Sequence, residues 1–246
     1  MNHIYSGWKK DPADPRDHLY MAGPPVAIPD QVDLSPHCSP IEDQGQLGSC
    51  TGNAIVGAME YLDRNFRNDA IDLSRLFVYY NERVLEGTIS QDSGAIIRDG
   101  IKTMVKYGVC PEKNYPYDIA KFTKKPTRTA YKKALPNRIT SYQRIQTLAD
   151  MMACLASGYP FVFGFTVFAS FEGDLVARTG IVPMPLQHER QLGGHAVCAV
   201  GYDKAKRMVK VRNSWGTAWG DGGYFYMPFD YINNATLADD FWTVRK

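Results

Sequence analysis

The stretch QGQLGSC at 44–50 runs straight into TGNAIVGAMEYL, so Cys50 stands after two glycines at the start of an apolar-periodic segment. A thiol becomes a nucleophile only when ionised, and the unpaired N–H groups and dipole of a helix N-terminus favour the thiolate. The preceding glycines permit a tight turn that leaves the sulfur accessible. On these grounds alone a buried structural thiol fits equally well. A nucleophile also needs a base, and the base needs a group that orients it. Of the five histidines, His3 and His18 lie in a polar N-terminal arm, His37 in a turn-rich stretch and His188 in the polar loop PLQHERQ. His195 differs: in GGHAVCAVGYD it opens an apolar strand after two glycines, which sets it at a strand end facing a cleft. Asn213, in VRNSWGTAWGDGGY, offers an amide oxygen that can hold one imidazole nitrogen, with Trp215 nearby to cover the bond from water. The same Asn-Ser-Trp-Gly also reads as a plain turn. Gln44 stands in the Cys50 loop, where its amide can donate to an oxyanion beside the Cys50 backbone N–H.

Positioning such a set takes a helix behind the thiol and strands behind the histidine. Ala54, Ile55, Ala58, Met59 and Leu62 recur at three- and four-residue spacing and predict a helix over 51–63. LSRLFVYYNERVLEG predicts a second, with Ser74 as N-cap and Gly87 just past its end. GAIIRDGIKTMVKYG predicts a third that stops at Gly108. A fourth helical pattern, LADMMACLASG, leads into PFVFGFTVF, GHAVCAVGYD, RMVKVRNSW and GGYFYMPF, β-branched and aromatic runs set apart by glycine-bearing turns. Helices first and strands after predict an α+β chain of two lobes with a cleft between them.

Composition narrows the function classes. The 246 residues are 44% hydrophobic and 22% charged with a net charge of +2, so no strong field directs the chain to nucleic acid or a membrane surface. The one basic run, KFTKKPTRTAYKK at 121–133, reads as a solvated loop. Its longest apolar run, PFVFGFTVFA, is too short to span a bilayer. Five cysteines leave at least one unpaired, a disulfide reading of the other four stays open, and no pair has metal-ligand spacing, so no metal is expected; nothing else in the text implies a cofactor. Cys154 and Cys198 read as small buried hydrophobes.

Taken together, these residues resemble the papain-like cysteine peptidases, and specifically a bacterial-type member with a short, atypical N-terminal extension. The resemblance rests on IPDQVDLSPHCSPIEDQGQLGSC, on YPY after YGVCPEKN, on TGIV before the histidine and on RNSWGTAWGDGGYF, in that order over 28–246. It implies a papain-like two-lobe fold, with a helical left lobe (28–140), an antiparallel β-barrel-like right lobe (141–246) and the active-site cleft between. It further implies that Cys50 is the nucleophile, His195 its general base and then acid, Asn213 the orienting group and Gln44 the oxyanion donor. Peptide bonds would be hydrolysed through a thiolate–imidazolium pair and an acyl-thioester. Substrate would lie against Gly94, Ala95, Ile96, Gly164, Gly194, Ala196 and Trp215. Ala95, Ile96 and Ile97 would border, and Gly164, Ala196, Leu237 and Ala238 floor, an apolar pocket with no acid at its base for the residue two before the scissile bond. The chain departs from the family pattern at Thr51, where an aromatic is usual, and at Leu47, where a disulfide cysteine is usual.

The expected partners are peptide or protein substrates, with no nucleic acid and no membrane, and the expected state is a monomer. An apolar leader is missing from MNHIYSGWKKDPADPRDHLY, which, with the absent disulfide pattern, favours the cytoplasm; non-classical export leaves the same text. The first 27 residues hold Trp8, an Arg16/Asp17 pair and a stiff proline segment, more than a neutral tail needs. They are expected to lie along the groove and restrict access, making an autoinhibited enzyme; the alternative is a docked extension away from the cleft. A non-catalytic binding or regulatory protein on the same fold is the competing reading of the whole chain. The intact quartet Gln44, Cys50, His195 and Asn213 speaks against it.

Overall fold

The computed structural model describes residues 7–21 and 28–246. In chain order it contains β1 (Trp8–Lys9), β2 (Gln31–Asp33), α1 (Cys50–Arg67), α2 (Arg75–Glu86), β3 (Ala95–Ile96), α3 (Ile97–Tyr107), α4 (Arg128–Ala134), β4 (Ser141–Arg144), α5 (Leu148–Ala156), β5 (Phe161–Phe168), α6 (Asp174–Thr179), β6 (Gln191–Asp203), β7 (Met208–Arg212), β8 (Tyr224–Pro228), α7 (Phe229–Ile232) and β9 (Ala238–Arg245). His3 lies outside the described residues, as do 1–6 and 22–27 of the extension.

Helix α1 is buried on every side from Cys50 to Asp63, as befits a helix packed between two layers, and it outruns the predicted end to stop at Asn68 in the left-handed conformation. In α2 the Ser74 hydroxyl accepts from the Phe77 N–H, the predicted cap, and the chain turns at Gly87. Helix α3 ends at Gly108 as expected. The basic run is not a loop. Thr127 caps α4 within it, and Ala130 and Ala134 are buried. The Tyr131 ring packs edge-on against Phe77 and Tyr107. The lysines occupy the solvent side, so a charge run here marks one face of a helix.

The right lobe is a seven-stranded sheet in the order β4-β9-β5-β6-β7-β8, with β2 paired to β6. The expectation of a barrel-like right lobe is therefore corrected: the two ends of the sheet, β4 and β8, do not pair and the sheet stays open. Each outer edge is covered by irregular chain instead. Tyr20 N donates to Arg144 O and Arg144 N to His18 O along β4, and Ile181 bridges to Tyr226 on β8. Covering an edge satisfies its polar groups without the strand tilt and stagger that closure demands. Strands β4 and β9 escaped the sequence reading because charges break their apolar alternation: β9 reads ADDFWTVR. The lobes are also stitched at the far end, where Lys246 Nζ donates to Asp63 of α1 at 2.7 Å and to Asn137 at 2.9 Å.

Candidate active site

Cys50 opens α1, His195 lies in the middle part of β6, and Asn213 follows β7. The antiparallel sheet brings the last two together across β6 and β7. His195 Nε2 and Asn213 Oδ1 are 2.8 Å apart, both side chains buried. Asn213 Oδ1 also accepts from Ser214 N at 2.8 Å. A backbone donor fixes this atom as the oxygen, so Nε2 is the donor and Nδ1 is left as the nitrogen able to take a proton. Trp215 stacks on the imidazole with centroids 4.8 Å apart, and Phe165 meets it edge-on at 5.8 Å. Trp219, Phe171 and Phe225 close the cluster behind. Trp215 thus covers the histidine, as its sequence position suggested.

The sulfur of Cys50 accepts from Ala196 N at 3.3 Å, one residue past the histidine, which joins the two lobes at the thiol. Burial pushes the thiol up to about 12; the Ala196 N–H opposes this, and so does the Thr51 N–H at the helix start. Glu82 lies beneath, taking the Thr51 hydroxyl at 2.7 Å, and burial raises its carboxyl to about 8, so it stands protonated at neutral pH. Gln44 is held at both ends: Nε2 donates to Leu47 O at 2.8 Å and Oε1 accepts from Ser214 Oγ at 2.6 Å. The amide keeps a second N–H for a ligand in the Cys50 loop.

The described arm crosses this site. β1 pairs in parallel with β3, Trp8 opposite Ala95 and Lys9 opposite Ile96, and Ala95 N donates to Gly7 O at 3.0 Å. Gly7 abuts Cys50: a Cβ there would collide with Sγ. The Trp8 indole lies on Gly164 and Gly194. A Cβ on Gly164 would fall within the ring, and one on Gly194 would sit 2.8 Å from Cε3. Of the residues expected to meet substrate, Ala95, Ile96, Gly164 and Gly194 therefore face the arm, and Ile96 N also donates to Glu86 Oε1. Gly94 N donates to the Tyr79 hydroxyl at 3.2 Å, Ala196 serves the sulfur, and Trp215 belongs to the histidine's cover. The pocket expected to lack an acid has one. Trp8 Nε1 donates to Asp240 Oδ2 at 3.0 Å, and Asp240 is fully buried with a left-handed φ of 59°. Only ADD in an otherwise apolar terminal run hinted at it. Farther along the arm, Arg16 pairs with Asp14 and not with Asp17, which turns to Arg98 at 2.9 Å. All five cysteines are free thiols. Among the described residues no cluster of histidine, cysteine, aspartate or glutamate can hold a metal, and no helix is long and apolar enough to cross a membrane.

Comparison with known proteins fits this geometry. The family model described as papain family cysteine protease matches residues 28–243. An uncharacterized peptidase C1-like protein of Acanthamoeba polyphaga mimivirus is 47% identical over 214 residues, 83% of this chain and 69% of its own length. The crystal structure of xylellain, a cysteine protease from Xylella fastidiosa, is 43% identical with a TM-score of 0.90, over 98% of this chain and 95% of that one. Digestive procathepsin L 3 of Tenebrio molitor larval midgut shares the fold alone, with a TM-score of 0.75 at 20% identity over 94% of this chain and 74% of that one. The chain belongs to the papain family of cysteine proteases. It is a hydrolase that cleaves peptide bonds by cysteine–histidine chemistry.

Proposed function

We propose that Cys50, His195, Asn213 and Gln44 carry out the hydrolysis, and that the N-terminal arm holds the enzyme latent, with residues 7–9 lying in the groove a peptide must enter. His195 Nδ1 takes the Cys50 proton, and the thiolate adds to the scissile carbonyl carbon. The resulting oxyanion lies between the Cys50 backbone N–H and Gln44 Nε2. His195 returns its proton to the leaving amine as the C–N bond breaks, giving the acyl-thioester. Water, deprotonated by the same imidazole, then releases the acid and restores the thiol. The observation that carries the roles is the Nε2–Asn213 bond, which commits the opposite nitrogen to proton transfer. Latency is supported by Gly7 against the sulfur and by the Gly7–Ala95 backbone bond, an added-strand mode that a bound peptide would also use. The substrate is a peptide or protein in extended form, and one chain suffices, since every group named comes from it.

Labelling by a peptidyl epoxysuccinyl reagent, located by mass spectrometry, tests both parts. Single-site modification at Cys50, absent in Cys50→Ala and His195→Ala, is expected. Its rate should rise in Trp8→Ala, where the arm loses its anchor. Modification elsewhere would overturn the catalytic roles, and an unchanged rate in Trp8→Ala would overturn latency.

A further inference from the structure

The peptide unit between Leu47 and Gly48 is gripped at both of its polar ends. Leu47 O accepts from Gln44 Nε2, the amide proposed for the oxyanion, at 2.8 Å, and from Ser49 N at 2.8 Å. Gly48 N donates to both carboxylate oxygens of Asp92, at 3.1 and 3.0 Å. A peptide unit is planar, so the direction of its N–H fixes that of its C=O. Asp92 thereby sets where Leu47 O points, and Leu47 O takes one of the two N–H groups on Gln44. Ser214 Oγ holds the other end of that amide at 2.6 Å, which leaves its second N–H one direction. Gly48 fits tightly as well: a Cβ there would lie 3.0 Å from Asp92 Oδ1. No covalent bond secures this loop, since every cysteine is a free thiol.

Asp92 is itself fastened. It lies on the irregular segment between α2 and β3, and its Oδ1 also accepts from the hydroxyl of Tyr79 on α2. Burial first, and then this bond, raise the Tyr79 phenol, which keeps it a donor. The same hydroxyl oxygen accepts from Gly94 N at 3.2 Å. The fully buried Arg83 holds the segment, with Nη1 donating to Ile89 O at 2.8 Å and to Gln91 O at 3.3 Å. We propose that Asp92 is a positioning residue for the oxyanion hole: through the Leu47–Gly48 peptide it aims the Gln44 amide, and through Tyr79 it ties that aim to the Gly94 backbone. The proposal rests on the reading that Gln44 Nε2 receives the oxyanion. A carboxylate suits the task, because a charge-assisted bond to a backbone N–H is about twice as strong as a neutral one.

The test sets two reagents against the full natural chain and its variants. A peptide aldehyde forms a hemithioacetal with Cys50: the S–C bond forms, the C=O π bond opens, and the thiol proton passes to the oxygen, which then lies in the hole. Iodoacetamide alkylates the sulfur with loss of iodide and places no such oxygen. Asp92→Asn should weaken aldehyde binding about tenfold, the scale of a hydrogen bond to a charged group, and leave the alkylation rate within about twofold. Whichever way the new amide turns, its nitrogen replaces an oxygen that faces the Gly48 N–H, so donor meets donor. In a Gln44→Ala background the same substitution should cost nothing further, a coupling that a merely structural loss would not show. Tyr79→Phe removes a donor to Asp92 without touching Leu47 or Gly48, and should weaken the aldehyde in the same sense; it decides the matter if Asp92→Asn does not fold. Weaker binding in Gln44→Ala with none in Asp92→Asn would overturn the proposal and keep the role of Gln44, and so would additive losses in the double variant. Undiminished binding in Gln44→Ala would overturn that role, and the proposal with it.

Discussion

Asn213 Oδ1 accepts two N–H groups at once, and that double bond count decides the tautomer of His195. Asn213→Ala should lower kcat by less than the about 10²–10⁴ that a general base contributes, leaving KM nearly unchanged. Its pH–rate profile should shift, a result that a merely structural loss would not produce. Gln44→Ala removes the proposed oxyanion donor and should cost about 10²–10³ in kcat, read in steady-state kinetics against unchanged binding of a non-cleavable peptide. Glu82 offers a stability test at the same scale. Its folded carboxyl is raised to about 8 by burial, so its contribution is full below the ordinary carboxyl range and is lost as pH climbs through about 8. Glu82→Gln should therefore gain in Tm over the natural chain at pH 9, and not at pH 5. A gain of equal size at both values would refute this account.

At the scale of elements, the short strand β1 is the part that turns a peptidase cleft into an occupied one. Its fit depends on Gly7 having no side chain where the chain passes the sulfur. Gly7→Ala should loosen the arm, and a small alkylating reagent should then reach Cys50 roughly tenfold faster, the scale set by overpacking a tight contact. An unaltered alkylation rate would mean that the arm does not govern access. Legibility also differed by element. The Ser74 cap, the Gly87 and Gly108 stops and the four long apolar strands were readable because local chemistry alone sets them. Helix α4 was not, since its burial depends on Tyr131 finding Phe77 and Tyr107 from distant parts of the chain.

Over the whole molecule, the arm is clamped to both lobes by one charge network. Asp11 faces Asp240, the Trp242 N–H, the Arg98 backbone N–H and Arg144; Lys10 pairs with Asp239; Asp17 pairs with Arg98 and Arg144. Burial first, and then the charge of Asp240, raises the Asp11 carboxyl to about 7. A raised acid means that the docked arm binds the proton more tightly than the released arm. Docking is therefore strongest at and below about pH 4, where a free Asp titrates, and weakens as pH rises to about 7. Asp11→Asn mimics the protonated acid and does not titrate. The ratio of Cys50 labelling in the natural chain to that in Asp11→Asn should rise across this window, which cancels the thiol's own ionisation. A flat ratio would show that another group controls docking.

What the sequence determined by itself was chemistry confined to short segments: the cysteine at a helix start, the histidine on an apolar strand, the asparagine beside a tryptophan, and the amide in the cysteine's own loop; the strand-end position expected for His195 was not met, since β6 begins four residues earlier. Propensity, capping and turn residues act over a few positions, so these could be read directly. Only the tertiary structure decided what lies across the cleft. Gly7 on the thiol, Trp8 on Gly164 and Gly194, and Asp240 beneath the indole join residues from opposite ends of the chain. The openness of the sheet belongs to the same group, since irregular segments cover its two edges. No local pattern encodes such pairings; they follow from which surfaces remain to be buried once the two lobes have packed.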